Sequence, residues 1–191
     1  QHPHTQSSKA VALLRGMDQH GLEPDVVSYS MVITAYAKRG EWRAALNLVE
    51  VMRKRGVEPN VITMNTLIRA LGEGRQWIRA LEVLLKDMPE AGLIPDVITF
   101  NTAIAACERS GKWEKALALL TEMRDKGLKP DIISYNTTIS AMCKGERWEH
   151  ALWLLDEMAE RGLKPNVISY SAAMSACAKA GEWQKSLELL K

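Results

Sequence analysis

Five of the six tryptophans, Trp42, Trp77, Trp113, Trp148 and Trp183, lie 35, 36, 35 and 35 residues apart, and Pro24, Pro59, Pro95, Pro130 and Pro165 keep the same intervals. A fixed period of roughly 20–50 residues marks stacked structural units, each exposing an apolar face that only its neighbours can cover. Complete units run 26–60, 61–96, 97–131 and 132–166; residues 1–25 carry the tail of a preceding unit and 167–191 most of a following one. The chain opens on Gln and stops at "LELLK" within a helical pattern, so a fragment of a longer protein is expected.

Each unit has the pattern of two helices. In the first, Tyr135, Ile139 and Met142 recur at spacings of four and three; in the second, Trp148, Ala151, Leu152, Leu155 and Met158 form one apolar stripe. Both spacings fit a 3.6-residue period. Gly40, Gly111 and Gly181 separate the helices, and Gly162 followed by Pro165 ends the second one. The expected fold is all-α, a right-handed α-solenoid of stacked helix-turn-helix repeats. Unit 61–96 is irregular: it holds one extra residue, Arg75 replaces the separating glycine, and Pro89 falls where the second helix should end. Proline there is expected to bend the last turn or end it early.

Composition narrows the function classes. A hydrophobic content of 47% with 25% charged residues is ordinary for a globular chain, and a net charge of +2 neither requires nor excludes a nucleic-acid partner. Cys107, Cys143 and Cys177 form no Cys-x-x-Cys pair, so they are expected as buried small apolar residues rather than disulfides or zinc ligands. No apolar run approaches the ~18 residues of a membrane span. A Gly-rich phosphate loop, a ligand cluster and a nucleophile–base arrangement are all missing, so neither catalysis nor a cofactor is expected within this chain. His2 and His4 make a weak metal-binding pair at the terminus, and His20 and His150 stand alone, so no metal site is expected.

The unit "VITFNTAIAACERSGKWEKALALLTEMRDKGLKPD" (97–131) resembles a pentatricopeptide repeat, and the likeness recurs over nearly the whole chain. The tetratricopeptide repeat fits less well, because it places its Trp in the first helix and has a shorter period. The resemblance implies single-stranded RNA as partner, with one base read per repeat by two or three side chains. It assigns base reading to an early first-helix residue and a repeat-closing residue. The early residues are Ser30, Asn65, Asn101, Asn136 and Ser171; the closing ones are Asn60, Asp96, Asp131 and Asn166, with Asp25 closing the truncated unit before them.

The chemistry of those pairs can be argued independently. Uracil and guanine present a ring N–H, which suits an acceptor-only carboxylate; cytosine and adenine present a ring acceptor, which suits the NH₂ of Asn. In the first helix a longer Asn reaches a pyrimidine, whereas a short Ser leaves room for a purine. Ser30 with Asn60 therefore points to adenine, and Asn65–Asp96 and Asn101–Asp131 to uracil. Asn136–Asn166 points to a pyrimidine, cytosine ahead of uracil, and Ser171 to a purine. With RNA running parallel to the chain, as the resemblance implies, the core is 5′-A-U-U-C/U-3′. The irregular unit makes Asn65–Asp96 the least regular of these pairs.

Just before each early polar residue sits an aliphatic one: Val27, Ile62, Ile98, Ile133 and Ile168. The resemblance makes these clamps between successive bases, leaving Tyr29, Phe100, Tyr135 and Tyr170 to fill the core. Lys38, Arg109, Lys144 and Lys179 take equivalent places near the first-helix ends, where Glu73 breaks the series. Such a ladder suits phosphate contacts that position the strand without reading sequence. Trp153 is out of phase and expected to be partly exposed; it and the convex face are candidates for protein contacts. The competing readings are a scaffold docking protein or ribosomal RNA without base readout, and the recognition arm of an RNA-processing nuclease. Mitochondrion or chloroplast is implied by the resemblance alone.

Overall fold

A computed structural model of the chain describes residues 12, 14, 16, 17 and 19–189. The described residues are helical, without strands, and the chain divides into two compact units, 1–95 and 96–191. Unit 1 holds α1 (Val26–Ala37), α2 (Trp42–Lys54), α3 (Val61–Glu73), α4 (Trp77–Glu82), a π-helical turn (Val83–Asp87) and α5 (Met88–Glu90). Unit 2 holds α6 (Val97–Arg109), α7 (Trp113–Asp125), α8 (Ile132–Lys144), α9 (Trp148–Glu160), α10 (Val167–Lys179) and α11 (Trp183–Glu188). Within unit 2 the first helices pack in a row, α6 on α8 and α8 on α10, while α7 and α9 wedge against the helices on either side of them; in unit 1, α1 packs on α2 and α3. Stacked helix pairs of this kind are the α-solenoid arrangement expected from the period. The tail at 1–25 lies mostly outside the described residues, as do His2 and His4.

The Pro-Asp/Asn steps have a local cause. Asp25, Asn60, Asp96, Asp131 and Asn166 are N-caps, each accepting a hydrogen bond from the backbone N–H three residues on. This satisfies one of the donors that a helix start leaves unpaired. Proline before the cap cannot prolong the preceding helix. The core follows the predicted stripes: Tyr29, Phe100 and Tyr135 are buried, with Ile139, Met142, Ala151, Leu155 and Met158, and so are all three cysteines. Leu154 rather than Leu152 completes the buried face of α9, and Tyr170 keeps 38% of its surface exposed.

The irregular repeat is absorbed differently from the sequence expectation. Pro89 does not end the second helix, which runs on to Glu90. The extra residue is taken up by the π turn, where the Met88 N–H donates to the Val83 carbonyl five residues back. A one-turn π insertion is the ordinary way for a helix to accommodate an added residue. Register is then restored: the Leu93 N–H bonds to the Met88 carbonyl at 2.9 Å, as Leu128 does to Met123 at 3.0 Å.

Trp42 and Trp113 explain a second irregularity. In two units the glycine between helices stands one residue early, at Gly74 and Gly145, and the left-handed backbone falls on Arg75 (φ 54°) and Glu146 (φ 56°). A Cβ on Gly74 would sit 2.1 Å from Trp42 Cδ1, and one on Gly145 2.3 Å from Trp113 Cδ1. The indole of one repeat thus lies directly on the backbone of the next. Arg147 covers the Trp113 ring at 4.9 Å, and the His150 ring tilts against it at 5.8 Å.

Candidate functional site

The base-reading candidates sit where the first helices start, and within each unit they lie side by side because those helices stack. Within unit 2, Asn101 Nδ2 donates to Asp131 Oδ1 at 3.0 Å, and Asn136 Nδ2 donates to Asn166 Oδ1 at 3.3 Å. Residues 30 positions apart in sequence are thereby joined in pairs. In unit 1 the link is indirect: Ser30 and Thr63 share a 2.8 Å hydroxyl contact, and Thr63 Oγ1 donates to Asn60 Oδ1 at 3.0 Å. Asn65 belongs to unit 1 and Asp96 to unit 2. The Asn65 Oδ1 is buried without a hydrogen-bond partner, and Asp96 caps α6 through Thr99.

The five aliphatic candidates share one property. Val27, Ile62, Ile98, Ile133 and Ile168 are 61–68% exposed, although each lies within two residues of a buried side chain. Large apolar side chains exposed at the same place in successive repeats need a reason, since burial is worth about 1.5–3 kcal/mol to each. Two hollows show what they frame. Val27, Ser30, Lys38, Asn60 and Ile62 line a cavity of about 490 Å³ between α1 and α3, and Asn136, Ile168 and Ser171 line one of about 380 Å³ between α8 and α10. Both volumes fall in the roughly 300–1,000 Å³ range of small-molecule sites.

The cation candidates are less uniform. Lys38, Arg109, Lys144 and Lys179 are exposed, but Lys144 Nζ is already 2.7 Å from Glu108 Oε1. A surface pair of this kind is worth about 0–1 kcal/mol, so a phosphate can displace it. Trp153 is 48% exposed and borders a shallow groove with Leu117, Glu149 and His150. Among the described residues there is no cluster of metal-binding side chains and no helix long and apolar enough to cross a membrane.

Sequence reasoning missed a third member of the two unit 2 pairs. Ser134 Oγ donates to Asn101 Oδ1 at 2.6 Å and Ser169 Oγ to Asn136 Oδ1 at 2.6 Å, from the first turn of the following helix. The signal was a hydroxyl three residues after every capping Asp or Asn, which is also ordinary helix-start spacing. Burial pushes the Asp131 carboxyl up, but bonds from the Ser134 N–H, the Asn101 amide and the Ser134 hydroxyl together hold it below its usual range. A depressed carboxylate stabilises the fold above its unfolded value and loses that contribution as pH falls through the folded one. Thermal melts from neutral pH down through about pH 4 are expected to show the wild type losing more stability than Asp131→Asn; parallel losses would contradict this.

Comparison with known proteins places this architecture. The pentatricopeptide repeat family model matches residues 24–73, 95–144 and 130–179, and the single-repeat model matches 62–93 and 168–191. The chain belongs to the pentatricopeptide repeat family. The crystal structure of the maize pentatricopeptide repeat protein PPR10 matches with a TM-score of 0.78 at 30% identity, covering 96% of this chain and 26% of that one. PPR10 in complex with an 18-nt psaJ RNA element matches with a TM-score of 0.77 at 28% identity, over 98% and 31% of the two chains. This pentatricopeptide repeat chain thus spans less than a third of the length of those maize chains. The repeat domain of Arabidopsis thaliana protein-only RNase P 1, solved with tRNA, has the same fold at TM-score 0.67 and 19% identity, over 83% of each chain. No curated protein sequence matches the chain significantly.

Proposed function

We propose that this pentatricopeptide repeat chain binds single-stranded RNA and reads one base per repeat, with the core 5′-A-U-U-C/U-3′. The observation that carries the reading is the polarity of the hydrogen-bonded pairs. Asn101 spends one N–H on Asp131 and keeps another, while the second Asp131 oxygen remains an acceptor. One donor beside one acceptor complements the carbonyl and ring N–H of uracil. At Asn136–Asn166 the Asn166 Oδ1 accepts from the Ile168 and Ser169 backbone N–H groups, which leaves amide donors on both residues. Two donors complement the ring nitrogen and carbonyl of cytosine. The exposed aliphatic residues bracket each base, and the cations track the phosphates. Kinship with a protein solved in complex with an RNA element supports the same class of ligand. Residence in a mitochondrion or chloroplast belongs to this reading through the family.

Contacts worth roughly 1–3 kcal/mol per base over four repeats give gross binding of about 4–12 kcal/mol before ordering costs, so micromolar affinity is expected. Fluorescence anisotropy with an unstructured RNA carrying AUUC, a shuffled RNA and the AUUC RNA annealed to its complement tests the proposal. The expected order is AUUC first and duplex last, with affinity falling steeply as salt rises. Equal, salt-sensitive binding to all three would leave an electrostatic surface without base reading. Failure of the folded chain to bind any of them at low salt would favour the scaffold reading.

A further inference from the structure

The hydroxyls that bridge the reading pairs do more than cap helices. Ser169 has one proton and three acceptors in reach, Asn136 Oδ1 at 2.6 Å, Asn166 Oδ1 at 3.1 Å and the weakly accepting Met158 Sδ at 3.9 Å, while its oxygen accepts the Asn166 N–H at 3.0 Å. Asn166 Oδ1 is already supplied by two backbone N–H groups, at 3.0 and 3.1 Å. The proton therefore goes to the shorter contact, which fixes Asn136 with its oxygen towards Ser169 and its NH₂ towards Asn166. Ser134 stands in the same relation to Asn101, at 2.6 Å, but there the Asp131 charge also repels an amide oxygen, so the orientation is held twice. At Thr63 the hydroxyl lies 2.8 Å from Ser30 Oγ and 3.0 Å from Asn60 Oδ1, and either hydroxyl of the Ser30 contact can donate, so the polarity of Ser30 is not fixed in the same way.

We infer that Ser134 and Ser169 are positioning residues that set the donor and acceptor polarity of the pair each one touches, and so help select the base. The inference rests on the base reading proposed above. Both are fully buried, so they act through Asn101 and Asn136 rather than on RNA. The effect is graded: it is largest at Asn136–Asn166, where a neutral amide pair 3.3 Å apart has no charge to hold it, and small at Asn101–Asp131.

The test titrates the whole chain with RNAs that differ only at the third or the fourth base, using wild type, Ser169→Ala and Ser169→Thr. Wild type is expected to favour cytosine over uracil at the fourth base by about fivefold, the worth of one hydrogen bond. Ser169→Ala should bring that ratio to within about twofold while keeping the uracil preference at the third base, which a general loss of folding would not do. Ser169→Thr should restore the ratio, because Thr63 and Thr99 occupy the equivalent buried place in other repeats. An unchanged fourth-base ratio in Ser169→Ala, with third-base preference intact, overturns the inference but not the base reading. No preference at either base in wild type overturns both. If Ser169→Ala does not fold, the near-isosteric Ser169→Cys, a much weaker donor, decides: a fourth-base ratio brought towards unity supports the inference, and an unchanged ratio overturns it.

Discussion

Replacing Asp131 by Asn is expected to move the preferred third base from uracil to cytosine. The change leaves the geometry of the pair in place but turns the outward acceptor of Asp131 into a donor, the arrangement already present at Asn136–Asn166. Uracil then meets a donor with its own ring N–H, and cytosine gains a partner for its ring nitrogen. Leaving such a group unsatisfied costs about 1–3 kcal/mol, so the uracil-to-cytosine ratio should change by roughly fivefold to 150-fold. The fold should be insensitive, because Asn caps a helix about as well as Asp and Asn166 does so in the next repeat. Anisotropy titrations with AUUC and AUCC, alongside a melting curve, check this. A ratio that stays the same in a folded variant would remove Asp131 from base reading.

The second large effect concerns the fold. Gly145→Ala should destabilise the protein by roughly 1–3 kcal/mol, the usual cost of overpacking. Backbone conformation does not decide the sign, since Gly145 has φ −85°, which alanine adopts freely. Alanine for glycine at a compatible site ordinarily stabilises by about 0.4–1 kcal/mol. Here the added Cβ would meet Trp113 at 2.3 Å from Cδ1 and 2.6 Å from Cγ, atoms at the root of the indole that cannot swing aside cheaply. The clash therefore outweighs the entropic gain. Denaturant unfolding should show the loss, and a Trp113→Leu background should shrink it. A neutral or stabilised Gly145→Ala would mean that the indole has room to move.

These effects differ in how far they could be foreseen. The tryptophan and proline intervals announce a stack of helix pairs, because one-turn periodicity and repeat periodicity are both visible as letters. The partnership of Asn101 with Asp131 is legible only through the repeat: a helix-start residue and a cap 30 positions away have no local reason to meet. Exposure of Ile133 beside buried Tyr135 follows from the helical period once the aromatic is given the core. The π turn was hidden, since "VLLKD" has the composition of any helix and only the restored register after Met88 reveals the inserted residue. Gly145 was hidden too: its place is set by an indole in the preceding repeat, a contact that no local pattern encodes. Ser134 and Ser169 have ordinary helix-start spacing, and their second hydrogen bonds appear only when neighbouring helices are stacked.

The most direct measurement crosses two proteins with two RNAs: wild type and Asn101→Thr, each titrated with AUUC and AUGC. Threonine shortens the first-helix side chain and makes room for a purine, while the Asp131 carboxylate can accept the ring N–H of guanine as it does that of uracil. Wild type should bind AUUC more tightly, and Asn101→Thr should bind AUGC more tightly. If both proteins rank the two RNAs in the same order, the pair formed by Asn101 and Asp131 does not read the third base.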